Sequence, residues 1–337
     1  MAKSGNKQLG NAKKAKADEF YTRLEDIERE LSHYKAHFRG KTVLCNCDDP
    51  RVSNFFHYFS HQFETLGLKR LVAPCYKNQD MDLFSRHDCE RAIWLEYFGD
   101  RNGNRIPDPE EIGIHEFRGD GDFRSAECIE LLKQADIVVT NPPFSLFTDY
   151  LLQLVEYDKK FVIIGPQNAT HYKEIFELIM QNKLWLGYGF RGGNAYFRIP
   201  KENVRDFAAG VYDPETGLVK FRNCFWFTNL DHNKRHEEQI LYKNYTPEEY
   251  PTYENFDAID VGRVTDIPCD WFGMMGVPDT FLDKYNPDQF EIVGLGCGDL
   301  AKQIGVGKNH RGRTDVAFKV NGQDKCPYSR IIIRRKK

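Results

Sequence analysis

The chain has 337 residues, 41% of them hydrophobic and 14% aromatic. That suffices for one large or two modest domains and excludes a disordered polypeptide. No uncharged apolar run approaches the roughly 18–20 residues of a membrane span, and the N-terminus lacks the apolar segment of a secretory signal, so a cytoplasmic location is expected. The net charge of −3 hides an asymmetry: residues 1–16 carry five lysines and no acid, residues 302–337 carry eleven Lys/Arg against Asp315 and Asp324, and the body between carries −17. Basic ends on an acidic body suit a polyanion partner, although a solvated tail accounts equally well for the N-terminal lysines. Nine scattered cysteines with no CxxC pair read as reduced thiols rather than a zinc site, so no metal is expected.

Taken in chain order, 1–16 is a basic flexible tail. Phe20, Leu24, Ile27, Leu31, Tyr34 and Phe38 recur at spacings of three and four, which predicts one helix over 17–38. Residues 41–47 (KTVLCNC) read as a strand, Val52 to Leu66 as a helix ended by Gly67, and 69–76 as the next strand. The polar stretch 77–113 reads as an excursion with a short helix near Trp94. A short strand at 114–117 leads into GDGDFRS, where Ser125 can cap a helix through Lys133. Strand 136–140 (DIVVT), a helix near 146–157, strand 161–165 and a helix over 170–181 follow. The alternation predicts an α/β fold with a mostly parallel sheet, to which 185–190 (WLGYGF) and 224–229 (CFWFTN) add an antiparallel edge pair. Beyond about 243 the chain becomes short-stranded, Gly-rich and finally basic, so a domain boundary is placed there: 17–243 and 244–337.

The chemistry sits in Asn141-Pro142-Pro143-Phe144, at the carboxyl end of a strand, where open α/β sheets place their ligands. Two prolines stiffen the backbone after the asparagine. Such a turn aims the Asn141 carboxamide oxygen and the Pro142 carbonyl at one point. Two acceptors there suit a conjugated exocyclic amine: they take its two hydrogens and stabilise the positive charge that develops as the nitrogen is alkylated. Phe144 offers a face for a base to stack on. The plain alternative is an Asn-Pro turn that merely ends a strand.

DIVVTNPPF resembles motif IV of amino-methyltransferases that use S-adenosylmethionine. Together with DEFYTR (18–23), CNCDDPRVSNFF (45–56), GDGDFRS (119–125), WLGYGF, WFTNLDHNKRHE (226–237), GVPDTFLDKYNPDQFEIVG (276–294) and YSRIIIRRKK (328–337), it resembles the EcoRI-type adenine-specific DNA methyltransferase family over nearly the whole chain. The resemblance implies a Rossmann-like catalytic domain followed by a target-recognition region, and methyl transfer from S-adenosylmethionine to N6 of a flipped adenine. It implies double-stranded DNA as partner, a restriction-modification setting, action as a monomer without a stable complex with a cognate endonuclease, and GAATTC as the candidate site. Asn141, Pro142, Pro143 and Phe144 match the catalytic motif. Phe20, Tyr21 and Thr22 match the motif at the methionine end of the cofactor, and Asp122 and Phe123 the position near its adenine.

There is a departure after the first strand: Cys45-Asn46-Cys47-Asp48-Asp49-Pro50 stands where relatives carry a glycine-rich turn. Cys45 and Asp48 are nevertheless candidates for the cofactor, as is Asn141. Asp48 or Asp49 can hold its amino group or, equally, cap the next helix with Pro50 in its first turn. The second strand ends in Cys75-Tyr76, without the usual acid for a ribose. Gly294, Gly296 and Gly298 imitate a nucleotide turn but have too little chain after them for a βαβ unit. Candidate phosphate contacts are Lys234, Arg235, Arg311, Arg313, Arg330, Arg334, Arg335, Lys336 and Lys337, each of which can also be ordinary solvated surface. His232 and His236 read as loop residues, since no third ligand accompanies them. The aromatics of WLGYGF suit either a base pocket or a half-buried edge strand. Rival readings are a methyltransferase acting on RNA or protein glutamine, and an inactive DNA-binding relative.

Overall fold

The computed structural model describes residues 21–47, 49–50, 52–76, 92–104, 106–199 and 209–336; Phe20, Asp48, Cys89 and Lys337 fall outside them. The chain divides into two compact units, Met1–Ala169 with Gly187–Asp231, and Thr170–Leu186 with His232–Lys337.

The first unit begins with β1 (Tyr21–Thr22) and α1 (Leu24–Leu31). The single long helix expected over 17–38 is interrupted. Ser32 closes α1, its hydroxyl donating to the Arg29 carbonyl at 2.7 Å, and the apolar stripe continues on a separate 3-10 turn, Lys35–Phe38. The stripe still does its work, because Ile27, Leu31, Tyr34 and Phe38 are all fully buried. Next come β2 (Thr42–Leu44), α2 (Asn54–His61), α3 (Phe63–Leu66) and β3 (Arg70–Cys75). Gly67 ends α3 in the left-handed conformation, φ 63°, as a C-terminal glycine should.

The expected helix near Trp94 is instead a strand, β4 (Ile93–Tyr97), and it pairs antiparallel with β3 and with β5 (Ile112–Glu116). Its residues follow a period of two: Leu95 and Tyr97 are buried while Trp94 and Glu96 are half-buried. Thereafter α4 (Ala126–Gln134), β6 (Ile137–Thr140), α5 (Phe147–Glu156) and β7 (Lys160–Pro166) match expectation, and Ser125 caps α4 by accepting from the Cys128 N–H. Beyond α6 (Lys173–Met180) and β8 (Trp185–Leu186), which belong to the second unit, the first unit resumes with β9 (Ala195–Arg198), β10 (Tyr212–Asp213), β11 (Leu218–Phe221) and β12 (Cys224–Thr228).

Its main sheet runs β5-β4-β3-β2-β6-β7-β12. The four central strands are parallel, and β12 adds antiparallel to β7. Within WLGYGF only Trp185–Leu186 is strand, and the Gly187 N–H donates to the Trp226 carbonyl at 2.9 Å. Alternate strand residues face different layers. Val43, Leu71, Val139, Val162 and Ile164 pack with Ile27, Leu31, Phe55 and Phe59 of α1 and α2. A Cβ on Gly165 would run into the Phe147 ring of α5, so that strand can approach that helix only through a glycine. A smaller sheet, β1-β9-β11-β10, lies in the same unit.

The second unit holds a sheet ordered β13 (Ile259–Asp260), β14 (Met274–Pro278), β18 (Arg330–Arg335), β15 (Phe290–Leu295), and a hairpin of β16 (Phe318–Val320) and β17 (Gln323–Lys325). After β15 the glycines 294–298 lead into α7 (Gly298–Gln303), but β15 pairs antiparallel with β18, so no βαβ unit forms there. A Cβ at Gly294 would meet Ile304 at 2.8 Å, which explains that glycine by packing.

Candidate active site

The sheet order places β2 between β3 and β6, so the chain reverses its direction of winding at β2/β6. Ligands of open α/β sheets bind at such a switch point, beyond the carboxyl ends of the strands. Two segments project there: Cys45–Cys47 from β2 and Asn141–Phe144 from β6.

They are bonded to each other. The Thr140 hydroxyl donates to the Asn46 carbonyl, and the Tyr150 hydroxyl of α5 donates to the Asn46 side-chain oxygen. Burial first, and then Cys47, push the Tyr150 phenol well above its ordinary value, so it stays a donor. Cys47 takes φ 78°, a left-handed backbone that a glycine would adopt without strain. A left-handed residue thus stands in this turn without being a glycine. Cys45 and Asn46 are buried, as is Asp49. Helix α2 opens at Asn54 from Ser53, so Pro50 is not in its first turn.

The loop after β5 approaches the end of β3. Gly121 has φ 76°, and a Cβ there would lie 2.7 Å from the Cys75 carbonyl oxygen. Burial works to raise the Asp122 carboxyl, but bonds from the Arg124 guanidinium (2.7 and 2.9 Å) and its backbone N–H outweigh it and hold the group below the usual carboxylate range. The Phe123 ring packs edge-on against Tyr150, with centroids 5.1 Å apart. Phe123, Tyr150, Asn46, Thr140 and Asn141 therefore form one connected group.

On the other side of the tetrapeptide, Asn141 and Pro142 are buried, while Pro143 and Phe144 are half-buried. Phe144 meets Phe197 of β9 and Phe221 of β11 edge-on at 6.4 and 6.3 Å. Thr22 is the β-partner of Phe197, and its backbone carbonyl accepts from Asn54 at 2.7 Å. The Thr22 hydroxyl oxygen is buried and has no hydrogen-bond partner among the described residues. Tyr21 pairs with Arg198. Sequence reasoning named Thr22 and Phe144 but missed Asn46, Thr140 and Tyr150, which hold the turn. Tyr150 falls within the apolar stripe of its helix and reads there as ordinary core.

The family model described as adenine-specific methyltransferase EcoRI matches residues 8–336. Type II methyltransferase M.EcoRI of Escherichia coli is 46% identical over 335 residues, covering 98% of this chain and 97% of that protein. Type II methyltransferases M.MpnI of Mycoplasma pneumoniae and M.MgeORF184P of Mycoplasma genitalium are 37% and 36% identical, each covering 97% of this chain and 98% of its own length. No solved structure matches significantly.

The chain belongs to the EcoRI-type adenine-specific methyltransferase family. It is a DNA adenine methyltransferase.

The basic residues of this methyltransferase's second unit differ in what they meet. Lys234 pairs with Asp283 at 2.5 Å. Arg235 lies 3.7 Å from the Trp185 ring centroid and donates to the Asn182 side chain. Arg330 is largely buried and pairs with Asp260 at 2.8 Å. Arg334 pairs with Glu291 at 2.6 Å, Arg335 donates to the Cys269 carbonyl, and Lys336 donates to the Pro287 carbonyl. Arg311 and Arg313 are exposed and form no ion pair among the described residues. His232 is buried against the Leu186 carbonyl at 3.0 Å, and His236 faces Asp288 at 3.4 Å.

Proposed function

We propose that the methyltransferase uses S-adenosylmethionine to methylate N6 of an adenine flipped out of duplex DNA, with Asn141 and Pro142 as the activating acceptors. The observation that carries this is the placement of Asn141-Pro142-Pro143-Phe144 at the switch point, bonded through Thr140 to the Cys45–Cys47 turn. The amine of adenine is a weak nucleophile because its lone pair is delocalised into the ring. The Asn141 carboxamide oxygen and the Pro142 carbonyl accept its two N–H hydrogens, favour tetrahedral nitrogen and stabilise the charge that builds up as the N–C bond forms. The N–H proton becomes acidic once the methyl has arrived, so no strong base is needed. Phe144, fixed edge-on by Phe197 and Phe221, stacks on the flipped base.

The donor set suits the cofactor: an unsatisfied buried hydroxyl on Thr22 and a glycine-like backbone at Cys47 lie on the two segments assigned to it. Phe20, Tyr21, Thr22, Cys45 and Asp48 would hold its methionine part, and Asp122 and Phe123 its adenosine part. The cofactor supplies an electrophilic methyl group. Lys234, Arg235, Arg311, Arg313, Arg334 and Arg335 would contact the DNA. The reading extends to a monomer that protects GAATTC within a restriction-modification pair.

The test is incubation with tritiated S-adenosylmethionine and plasmid DNA, wild type beside Asn141→Ala, followed by nucleoside analysis and challenge with a nuclease that cuts GAATTC. Labelled N6-methyladenine from the wild type alone, with protection, supports the reading. Label in RNA or protein only would overturn it.

A further inference from the structure

The second unit carries a segment in which exposed cations are concentrated. Residues 302–314 include Lys302, Lys308, Arg311 and Arg313 and no acid. All four are exposed, and none forms an ion pair among the described residues. Elsewhere in the unit Lys234, Lys319, Arg330 and Arg334 meet carboxylates, while other exposed cations such as Lys183 and Lys284 are spread singly along the chain.

The segment is also held rigidly. Val306 and Val316 anchor its two ends in a core with Tyr253, Ala301 and Phe318. Between them one side chain ties both legs together: Asn255 donates through Nδ2 to the Gly307 and Asp315 carbonyls, each at 2.8 Å, and accepts from the Ala317 N–H at 2.9 Å. The Gly307 N–H donates to the Asn255 carbonyl at 2.9 Å. The tip is a tight turn. The Gly312 N–H donates to the Asn309 carbonyl and the Asn309 N–H to the Arg313 carbonyl, both at 2.8 Å, with Gly312 at φ 71°. The Asn309 side-chain oxygen also accepts from the Arg311 and Arg313 N–H groups at 2.8 and 3.2 Å. Asn309 Nδ2 in turn donates to the Asp315 carbonyl at 3.1 Å, so the same side chain ties the tip to its own leg, while the Arg311 and Arg313 side chains stay exposed.

We infer that 307–315 is a preorganised reading loop that presents Arg311 and Arg313 to a groove of the DNA substrate, and that Asn255 and Asn309 are positioning residues for sequence discrimination. This rests on the DNA reading above. An arginine fork discriminates bases only when its backbone is held in place; a floppy loop would keep the charge and lose the geometry. The two roles separate in experiment. Removing the arginines removes charge, whereas removing the asparagine clamps leaves charge but loosens aim.

The measurements use the full chain and a duplex with one target site: KM and kcat, the dependence of KM on salt, and the rate ratio between that site and a site changed at one base pair. Arg311→Ala with Arg313→Ala should raise KM about 10-fold or more, flatten the salt dependence and lower the site ratio about 10-fold as well. Asn255→Ala and Asn309→Ala should keep the salt dependence and lower the site ratio about 10-fold, and Asn309→Ser, which restores an acceptor, should recover part of it. Asn309 lies in a surface turn, so its variants stand even if Asn255→Ala folds poorly. A double arginine variant with unchanged KM and salt dependence would overturn the inference. So would clamp variants that slow every site alike. A wild type that methylates no DNA would overturn the underlying reading instead.

Discussion

Replacing Glu30 on α1 should be costly, and the hydrogen bonds it accepts set the scale. Its carboxylate is fully buried and accepts three hydrogen bonds, from the Tyr34 hydroxyl and the Tyr188 N–H on Oε1 and from the Gly189 N–H on Oε2, each at 2.9 Å. Burial and the Glu30 charge raise the Tyr34 phenol far above its ordinary value, so it remains a donor. The carboxylate thereby fixes the glycine-rich stretch after β8, where even a Cβ on Gly187 would strike it. Bonds to a charged group contribute about 1.5–3 kcal/mol each, against several kcal/mol for burying the charge, and their loss strands buried donors. Glu30→Ala should therefore lower unfolding free energy by about 3 kcal/mol. Glu30→Gln keeps an acceptor for Tyr34 and Tyr188 but turns an amide donor towards Gly189, and should cost about 1–2 kcal/mol. Urea denaturation followed by far-UV circular dichroism measures both. An alanine variant within 1 kcal/mol of wild type, or a glutamine variant as damaged as alanine, would refute the argument.

Three further outcomes are expected. Asn141→Ala should lower kcat by about 10²- to 10³-fold, the loss seen when one preorganised polar group is removed from a charged transition state, while leaving DNA binding by gel shift unchanged. Gly121→Ala places a Cβ 2.7 Å from the Cys75 carbonyl at φ 76° and should cost at least about 1–2 kcal/mol in a thermal or urea melt. His171 is held below its ordinary 6.5 by burial, with Asp279 opposing, so between the two values the unfolded chain binds a proton that the folded chain does not. Its contribution is complete above 6.5 and is lost as pH falls through the folded value; His171→Gln should flatten that part of the stability profile.

How much could be read beforehand depended on where the deciding interaction lay. Elements set by local pattern came through: the Ser125 cap, the Gly67 stop and the strand Ile137–Thr140 rest on neighbours in sequence. The interruption at Ser32 did not, because a 3-10 turn continues an apolar stripe without changing its spacing. Strand β4 was hidden by polar, Gly/Pro-punctuated flanks, although Leu95 and Tyr97 obey the period of two once the antiparallel partners β3 and β5 are known. The tetrapeptide was legible because its chemistry lies in four consecutive residues. Its support was not: Asn46 and Tyr150 are 104 residues apart and meet only through the sheet.

The turn after β2 shows why a missing motif residue is weak evidence against a site. A glycine is favoured there because it reaches positive φ freely and leaves room beside the backbone. Cys47 reaches φ 78° at a cost of about 1–2 kcal/mol, a strain that persists only where surrounding contacts over-determine it. Those contacts are present: Thr140 and Tyr150 grip Asn46 immediately before it. A pattern that looks for the glycine tests the inexpensive solution. The backbone conformation is what a ligand at the switch point meets, and here cross-sheet hydrogen bonds enforce it in place of residue choice.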